Sequence, residues 1–230
     1  MELCATIQGL NDVEPSRFED VSENQFLEDP LRNSQAINVM PSSSSAAVYT
    51  TEWLTEEAER REVFDNNAQD MLFKAAKEGD EILAKICLNL KRISPNVKDT
   101  VETPVLIVAA RYGHPGVLGL LLECGATVDD ENRYGCTALH AAAHNGHEAA
   151  VRVLLERGAI IDKQDKTGET ALHSAAWGGH EAVVRVLAEK GATINQQSGN
   201  GKTALHIAAG SGHEAVVRVL AEKGATINQQ

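Results

Sequence analysis

Residues 179–197 read GHEAVVRVLAEKGATINQQ, and residues 212–230 carry the same nineteen letters at a displacement of thirty-three. The period extends towards the N-terminus: Gly113, Gly146, Gly179 and Gly212 stand thirty-three apart, and so do Gly125, Gly158, Gly191 and Gly224. A fixed internal period of this length identifies a stack of supersecondary units rather than a single closed core.

One unit can be read from TALHSAAWGGHEAVVRVLAEKGATIN (170–195). Thr170 is placed to N-cap a short helix whose apolar side is Leu172, Ala175 and Ala176. Gly179 ends it, since a left-handed residue costs least without a Cβ. A second helix carries Ala182, Val183, Val186 and Leu187 on one side, with Glu181 and Arg185 four apart in the favourable order. Lys190 suits the negative end of its dipole, and Gly191 closes it. Neither helix exceeds about ten residues, whereas isolated helices below ~12–15 residues are marginal in water, so stability must come from stacking on neighbouring units.

These residues carry a family resemblance. TALHAAAHNGH (137–147), TALHSAAWGGH (170–180) and TALHIAAGSGH (203–213) resemble the T-P-L-H-x-A-A-x-x-G-H core of the ankyrin repeat, with Ala in place of Pro, at that repeat's period of 33. A further unit, ETPVLIVAARYGH (102–114), has its Thr-Pro one residue early and Leu106-Ile107 where Leu-His is expected; MLFKAAKEGD (71–80) keeps only Ala75, Ala76 and Gly79. The resemblance implies an all-α fold: an ankyrin-repeat solenoid of helix-turn-helix units with short β-turn fingers. The expected divisions are a disordered acidic arm (1–50), a helical lead-in (51–69) and a repeat array (70–230). Within the array, a degenerate cap unit (70–101) precedes units 102–134, 135–167, 168–200 and 201–230.

Composition agrees. Nine aromatics in 230 residues suit a core of Ala, Val and Leu helices better than a β-sandwich. The net charge of −12 is unevenly spread: residues 1–70 hold fifteen acids against four Arg, whereas 71–230 hold eighteen against seventeen Lys and Arg. Neither part has the basic excess that phosphate-backbone binding needs, so no direct nucleic-acid partner is expected. Cys4, Cys87, Cys124 and Cys136 form no C-x-x-C pair or disulfide framework. MELCATIQGL is not a basic-then-apolar leader, and no apolar run approaches the ~18 residues of a membrane span. A soluble protein with no membrane partner, located intracellularly in cytoplasm or nucleus, is expected.

Ahead of the array, residues 1–50 lack helical periodicity and end in Pro41 and the serines 42–45. Residues 11–31 interleave Val13, Phe18, Val21, Phe26, Leu27 and Leu31 with acids, which reads either as a solvated linker or as a segment that folds on a partner. TEWLTEEAERREVF (51–64) predicts a helix with Thr55 as N-cap, laid on the first unit by Trp53, Leu54 and Phe64. Helices near 70–78 and 80–91 follow. The segments 160–169 and 194–202 predict the fingers, with Gly168 and Gly201 supplying turn geometry.

Chemical motifs fail on inspection. GNGKT (199–203) lacks the first glycine of a phosphate loop, since Gln196 stands there, and no strand leads into it. His140, His144 and His147 have metal-compatible spacing, but His140 and His147 recur on the template as His173 and His180 and as His206 and His213. In the family these imidazoles make hydrogen bonds within and between units; only His144 lies off the template. Ser174 and Ser211 have no paired base or oxyanion donors. No cofactor, no metal and no catalytic residue is therefore assigned.

By resemblance, the finger tips and exposed first-helix positions line a concave groove. These are Arg111 and Tyr112; Arg133, Tyr134, His144 and Asn145, with Cys136; Lys166, Glu169 and Trp177, with Thr167; and Asn200 and Lys202, with Gly199, Gly210 and Ser211. Tyr112, Arg133, Tyr134 and Trp177 are the residue types that most often anchor interfaces; for Trp177 the competing reading is packing on the next unit. The expected function is a non-catalytic scaffold or adaptor that binds a protein partner. The alternatives are a regulatory ankyrin segment of a larger enzyme or nucleotide-switch receptor, or a transcriptional or signalling regulator with an acidic arm. The last unit repeats an internal one without polar outward substitutions at Val216, Val217, Val219 and Leu220. This predicts a longer array or end-to-end contact through that uncapped repeat.

Overall fold

A computed structural model describes residues 51–60 and 68–226. The predicted arm (1–50), Phe64 and residues 227–230 lie outside the described residues. Among the described residues there are eleven α-helices, one π-helix and no strand. They are α1 (Thr51–Arg60), α2 (Ala68–Glu78), α3 (Glu81–Lys85) with its π-helical continuation Ile86–Leu90, α4 (Val105–Tyr112), α5 (Pro115–Glu123), α6 (Ala138–His144), α7 (Glu148–Glu156), α8 (Ala171–Gly178), α9 (Glu181–Glu189), α10 (Ala204–Gly210) and α11 (Glu214–Glu222).

The helices stack in two rows. The first helix of each unit packs on the first helices of its neighbours, giving an inner row α2, α4, α6, α8, α10; the second helices form an outer row α3, α5, α7, α9, α11. The pattern Ala-Leu-x-x-Ala-Ala makes this close packing feasible, because alanines let inner helices approach while the leucine fills the space between rows. Accordingly Ala142, Ala143, Ala175 and Ala176 are fully buried, as are Leu154 and Leu187 of the outer row.

The threonine caps form as the sequence predicts. Thr137, Thr170 and Thr203 each close a capping box with the histidine three residues on. In the second, the Thr170 N–H donates to His173 Nδ1 at 3.1 Å, and the other ring nitrogen donates to the Lys202 carbonyl of the next unit at 3.1 Å. A carbonyl only accepts, so Nε2 carries the proton and the tautomer is fixed. His140 likewise reaches the Glu169 carbonyl, at 3.1 Å. The second template histidine ties the units in the other direction: His114, His147, His180 and His213 donate to the carbonyls of Lys77, Arg111, His144 and Trp177 at 2.8–3.0 Å.

The degenerate first unit departs from the template in a definite way. Gly79 and Arg92 are one residue further apart than Gly113 and Gly125. That extra residue is taken up in the π-helix, where Lys91 N–H reaches the Ile86 carbonyl five residues back. The predicted continuous helix over 80–91 is thus corrected to an α-turn followed by a π-turn. Arg92 (φ 49°) and Glu102 (φ 62°) adopt the left-handed conformation that Gly125 (φ 94°) and Gly135 (φ 78°) supply at the same positions one unit later.

Two further corrections concern the ends. Thr55 is not an N-cap: the helix begins at Thr51, and the Thr55 hydroxyl donates to the Thr51 carbonyl at 2.8 Å in mid-helix. Leu54 and Ala58 of α1 are buried, and this helix packs on α3 and its π-turn. In the last unit Val216, Val219 and Leu220 are fully buried, because they face α10 and α9 rather than outward; Val217 is half-buried, and the groups left open are His206 and Ala209.

Candidate functional site

Between the outer helix of one unit and the inner helix of the next, the chain makes a tight projecting turn. Its first residue recurs every thirty-three positions as Asp99, Asn132, Asp165 and Ser198. Asp99 Oδ1 accepts from the N–H groups of Val101 and Thr103, Asn132 Oδ1 from those of Tyr134 and Cys136, and Asp165 Oδ1 from those of Thr167 and Glu169. These side-chain-to-backbone bonds hold the first three fingers, and an isolated antiparallel bridge between Lys98 and Pro104 closes the first of them. Gly135 and Gly168 supply its left-handed residue at φ 78°. Adjacent fingers are linked by Lys166 N–H to the Tyr134 carbonyl at 3.1 Å and Gly199 N–H to the Thr167 carbonyl at 2.8 Å.

Where the second finger overhangs the inner row there is a hollow of about 230 Å³, lined among others by Ile107, Arg111, Tyr134, Cys136, His144 and Asn145. Its floor is apolar and its rim polar. Beside it the Trp177 indole stacks on His144, ring centroids 5.1 Å apart and planes within 16°. The Arg133 guanidinium lies 4.7 Å above the Tyr134 ring, and the two side chains also hydrogen-bond. A second hollow, about 470 Å³, lies at the first finger and α2 and is lined by Asp70, Lys74, Lys77, Glu78 and Asp99, charges of both signs, with Phe73.

The exposed aromatic side chains on this face are Tyr112, Tyr134 and Trp177, at 49%, 56% and 59% of full exposure, and Val101 is exposed on the first finger at the template position of Tyr134. Trp177 leans back on His144 of the preceding unit. Of the sequence-predicted residues, Arg111, Tyr134, Cys136, His144 and Asn145 line the smaller hollow, whereas Tyr112, Arg133, Lys166, Glu169, Trp177, Asn200 and Lys202 do not. Several are partly committed to structure. Lys166 Nζ donates to the Arg133 carbonyl at 2.7 Å, and Asn145 Nδ2 to the Ala141 carbonyl at 2.8 Å. The carbonyls of Glu169 and Lys202 receive the template histidines. Ile107, Asn132 and Ala141 also line the hollow without standing out in the sequence, as does Ser174, which the sequence offers only as a rejected nucleophile. The thirty-three-residue recurrence of Asn132 could have revealed it; Ile107 looked like ordinary core.

A model of ankyrin repeats, in three copies, matches residues 106–198 and 160–230, which together make up more than half of the chain. The chain belongs to the ankyrin-repeat family. Among curated proteins none matches it. Ankyrin repeats are in general modules of protein–protein interaction, and among the described residues the exposed aromatic side chains lie on the face made by fingers and inner helices. No helix among the described residues is long and apolar enough to cross a membrane.

The titrating groups around the ankyrin face are arranged for structure rather than proton transfer. Burial lowers His140 and His173 below the ordinary imidazole value, so both stay neutral with both ring nitrogens in hydrogen bonds. Burial, reinforced by Asp165, pushes the Cys136 thiol up to about 11, which keeps it protonated and a poor nucleophile. For Asp165, burial acts to raise the carboxyl, but hydrogen bonds from Thr167 and Glu169 outweigh it and hold it low. Among the described residues no three His, Cys, Asp or Glu side chains converge as a metal site.

Proposed function

We propose that this ankyrin array is a non-catalytic scaffold or adaptor that binds a partner protein along the face formed by its fingers and inner helices. The observation that carries the reading is the grouping of Tyr134 and the His144–Trp177 stack around the hollow of about 230 Å³. That volume is below the ~300–1,000 Å³ typical of small-molecule sites and suits one side chain of a larger ligand. Exposed aromatics beside an Arg are the residue types that supply most interface energy. Residues 70–230 would form the binding module, with 51–69 as its helical lead-in and 1–50 as a separate region.

The test is affinity capture with the full chain, read quantitatively for whichever protein is retained. Tyr134→Ala and Trp177→Ala should each weaken that interaction by about 1–2 kcal/mol or more, the range of interface anchors, while the thermal midpoint stays nearly unchanged. A captured protein held equally well by both variants would place the interface elsewhere.

A further inference from the structure

We infer that the groove from the second to the fourth finger is built for an acidic peptide segment that presents one bulky apolar side chain to the hollow beneath Tyr134. This rests on the groove reading above and names the chemistry of the partner.

The distribution of ion pairs leads to it. Among the described residues, most cations on the outer helices and back loops are paired with carboxylates: Arg152 with Glu148 and Arg185 with Glu181, each at 2.8 Å, Arg157 with Glu123 at 2.9 Å, and Lys163 with Glu131 at 2.8 Å, while Lys190 and Arg218 of the outer row stand outside these pairs. In the groove, Arg111, Arg133, Lys166 and Lys202 are exposed, and none of them is joined to a carboxylate. The acids nearest to them in sequence do not balance this. Asp165 is consumed by the third finger, accepting from two backbone N–H groups and the Thr167 hydroxyl. That leaves the half-buried Glu169, and Glu102 on the first finger, against four cations.

An array carrying eighteen acids and seventeen bases over residues 71–230 thus places four cations without carboxylate partners along its aromatic face, against two, Lys190 and Arg218, on its outer row. Complementary charge of this kind steers a partner and fixes its register more than it adds affinity. The hollow supplies the affinity: Ile107 and Ala141 give it an apolar floor, Tyr134 and His144 its walls, and Arg111 stands at its edge. A carboxylate next to the inserted side chain would reach that guanidinium. The face suits a peptide better than a nucleic acid, because four separated cations offer little to a continuous phosphate backbone, and the chain as a whole carries −12.

The experiment uses a phage-displayed library of random 12-residue peptides panned against the full 230-residue chain, followed by fluorescence anisotropy of the enriched peptides. Enrichment of net-negative peptides containing one Phe, Trp or Leu is expected. The double variant Arg111→Glu/Arg133→Glu should weaken them about tenfold or more, while the matched outer-face pair Arg152→Glu/Lys190→Glu leaves them within about twofold. Neutral or basic peptides that are lost on Tyr134→Ala would overturn the acidic-partner inference and leave the groove reading standing. Peptides insensitive to both Tyr134→Ala and the groove charge reversal would overturn both. Absence of any enriched peptide, or tighter binding of a 12-residue oligothymidylate in the same groove-sensitive manner, would also overturn the inference.

Discussion

The units 168–200 and 201–226 share nearly all of their sequence and differ in their surroundings. His173 is buried and His206 exposed; Ala176 is buried and Ala209 exposed; Val184 is fully buried and Val217 half-buried. Only groups facing within the unit or back to its predecessor, such as Leu187 and Leu220, are equally buried in both. Within the described residues the same letters thus acquire different environments, since a helix pair lies against the far side of one unit and none is described against the other. In a solenoid, stability is the sum of weak intrinsic units and strong interfaces between them, and this pair of units separates the two contributions.

The sharpest way to break that comparison is at a glycine. Gly179 and Gly212 have φ of 74° and 76°, so alanine is strained at both. At Gly179 the new Cβ would also lie 2.6 Å from His213 Nδ1, whose ring is held by its bond to the Trp177 carbonyl; at Gly212 it would meet nothing within 4 Å. Gly212→Ala should cost about 1 kcal/mol for the left-handed residue, and Gly179→Ala about 3 kcal/mol, in denaturant unfolding. Equal costs would mean that the histidine yields freely.

Next in size is the template histidine. His173→Ala removes a buried capping box and the tie to the Lys202 carbonyl, whereas His206→Ala removes a partly exposed cap. We expect losses of about 2 and at most about 1 kcal/mol respectively by the same measurement. Similar in size is Val184→Ala against Val217→Ala, about 2 versus about 1 kcal/mol, because one side chain is fully buried and the other half-buried.

The smallest effect concerns pH. His140 and His173 are lowered by burial, so below the ordinary imidazole value the unfolded chain binds protons that the native state does not. Their contribution is complete above about pH 6.5 and diminishes as pH falls towards the folded-state value. The unfolding midpoint should therefore drop between pH 7 and pH 5, and His140→Gln/His173→Gln should flatten that drop. A variant with the wild-type slope would assign it to other groups.

Much of this is legible in the sequence. Period, caps, closing glycines and the Glu181–Arg185 pair follow from local rules, because each depends on residues within one unit. The π-turn at Ile86–Leu90 was hidden because a one-residue insertion does not interrupt an apolar run. At Thr55, an N-capping residue type stands inside a helix that starts four residues earlier. The site was half visible: Tyr112, Tyr134 and Trp177 announced themselves as departures from the template. The hollow did not, since it arises where Tyr134 from one finger meets Ile107 and His144 from two different helices, and such a meeting depends on stacking geometry. The back-stacking of Trp177 on His144 was hidden for the same reason.

Amide hydrogen exchange by NMR, with resonances of the two copies resolved, tests most directly whether neighbours rather than sequence set stability. Helices α9 and α11 both read EAVVRVLAE, so their intrinsic exchange rates match and any difference reports opening of the structure. The α9 amides should be protected by a substantially larger free energy than their α11 counterparts, with protection declining from unit 168–200 to unit 201–226. Equal protection in the two helices would contradict the account, because identical sequences would then be equally stable with and without a following unit.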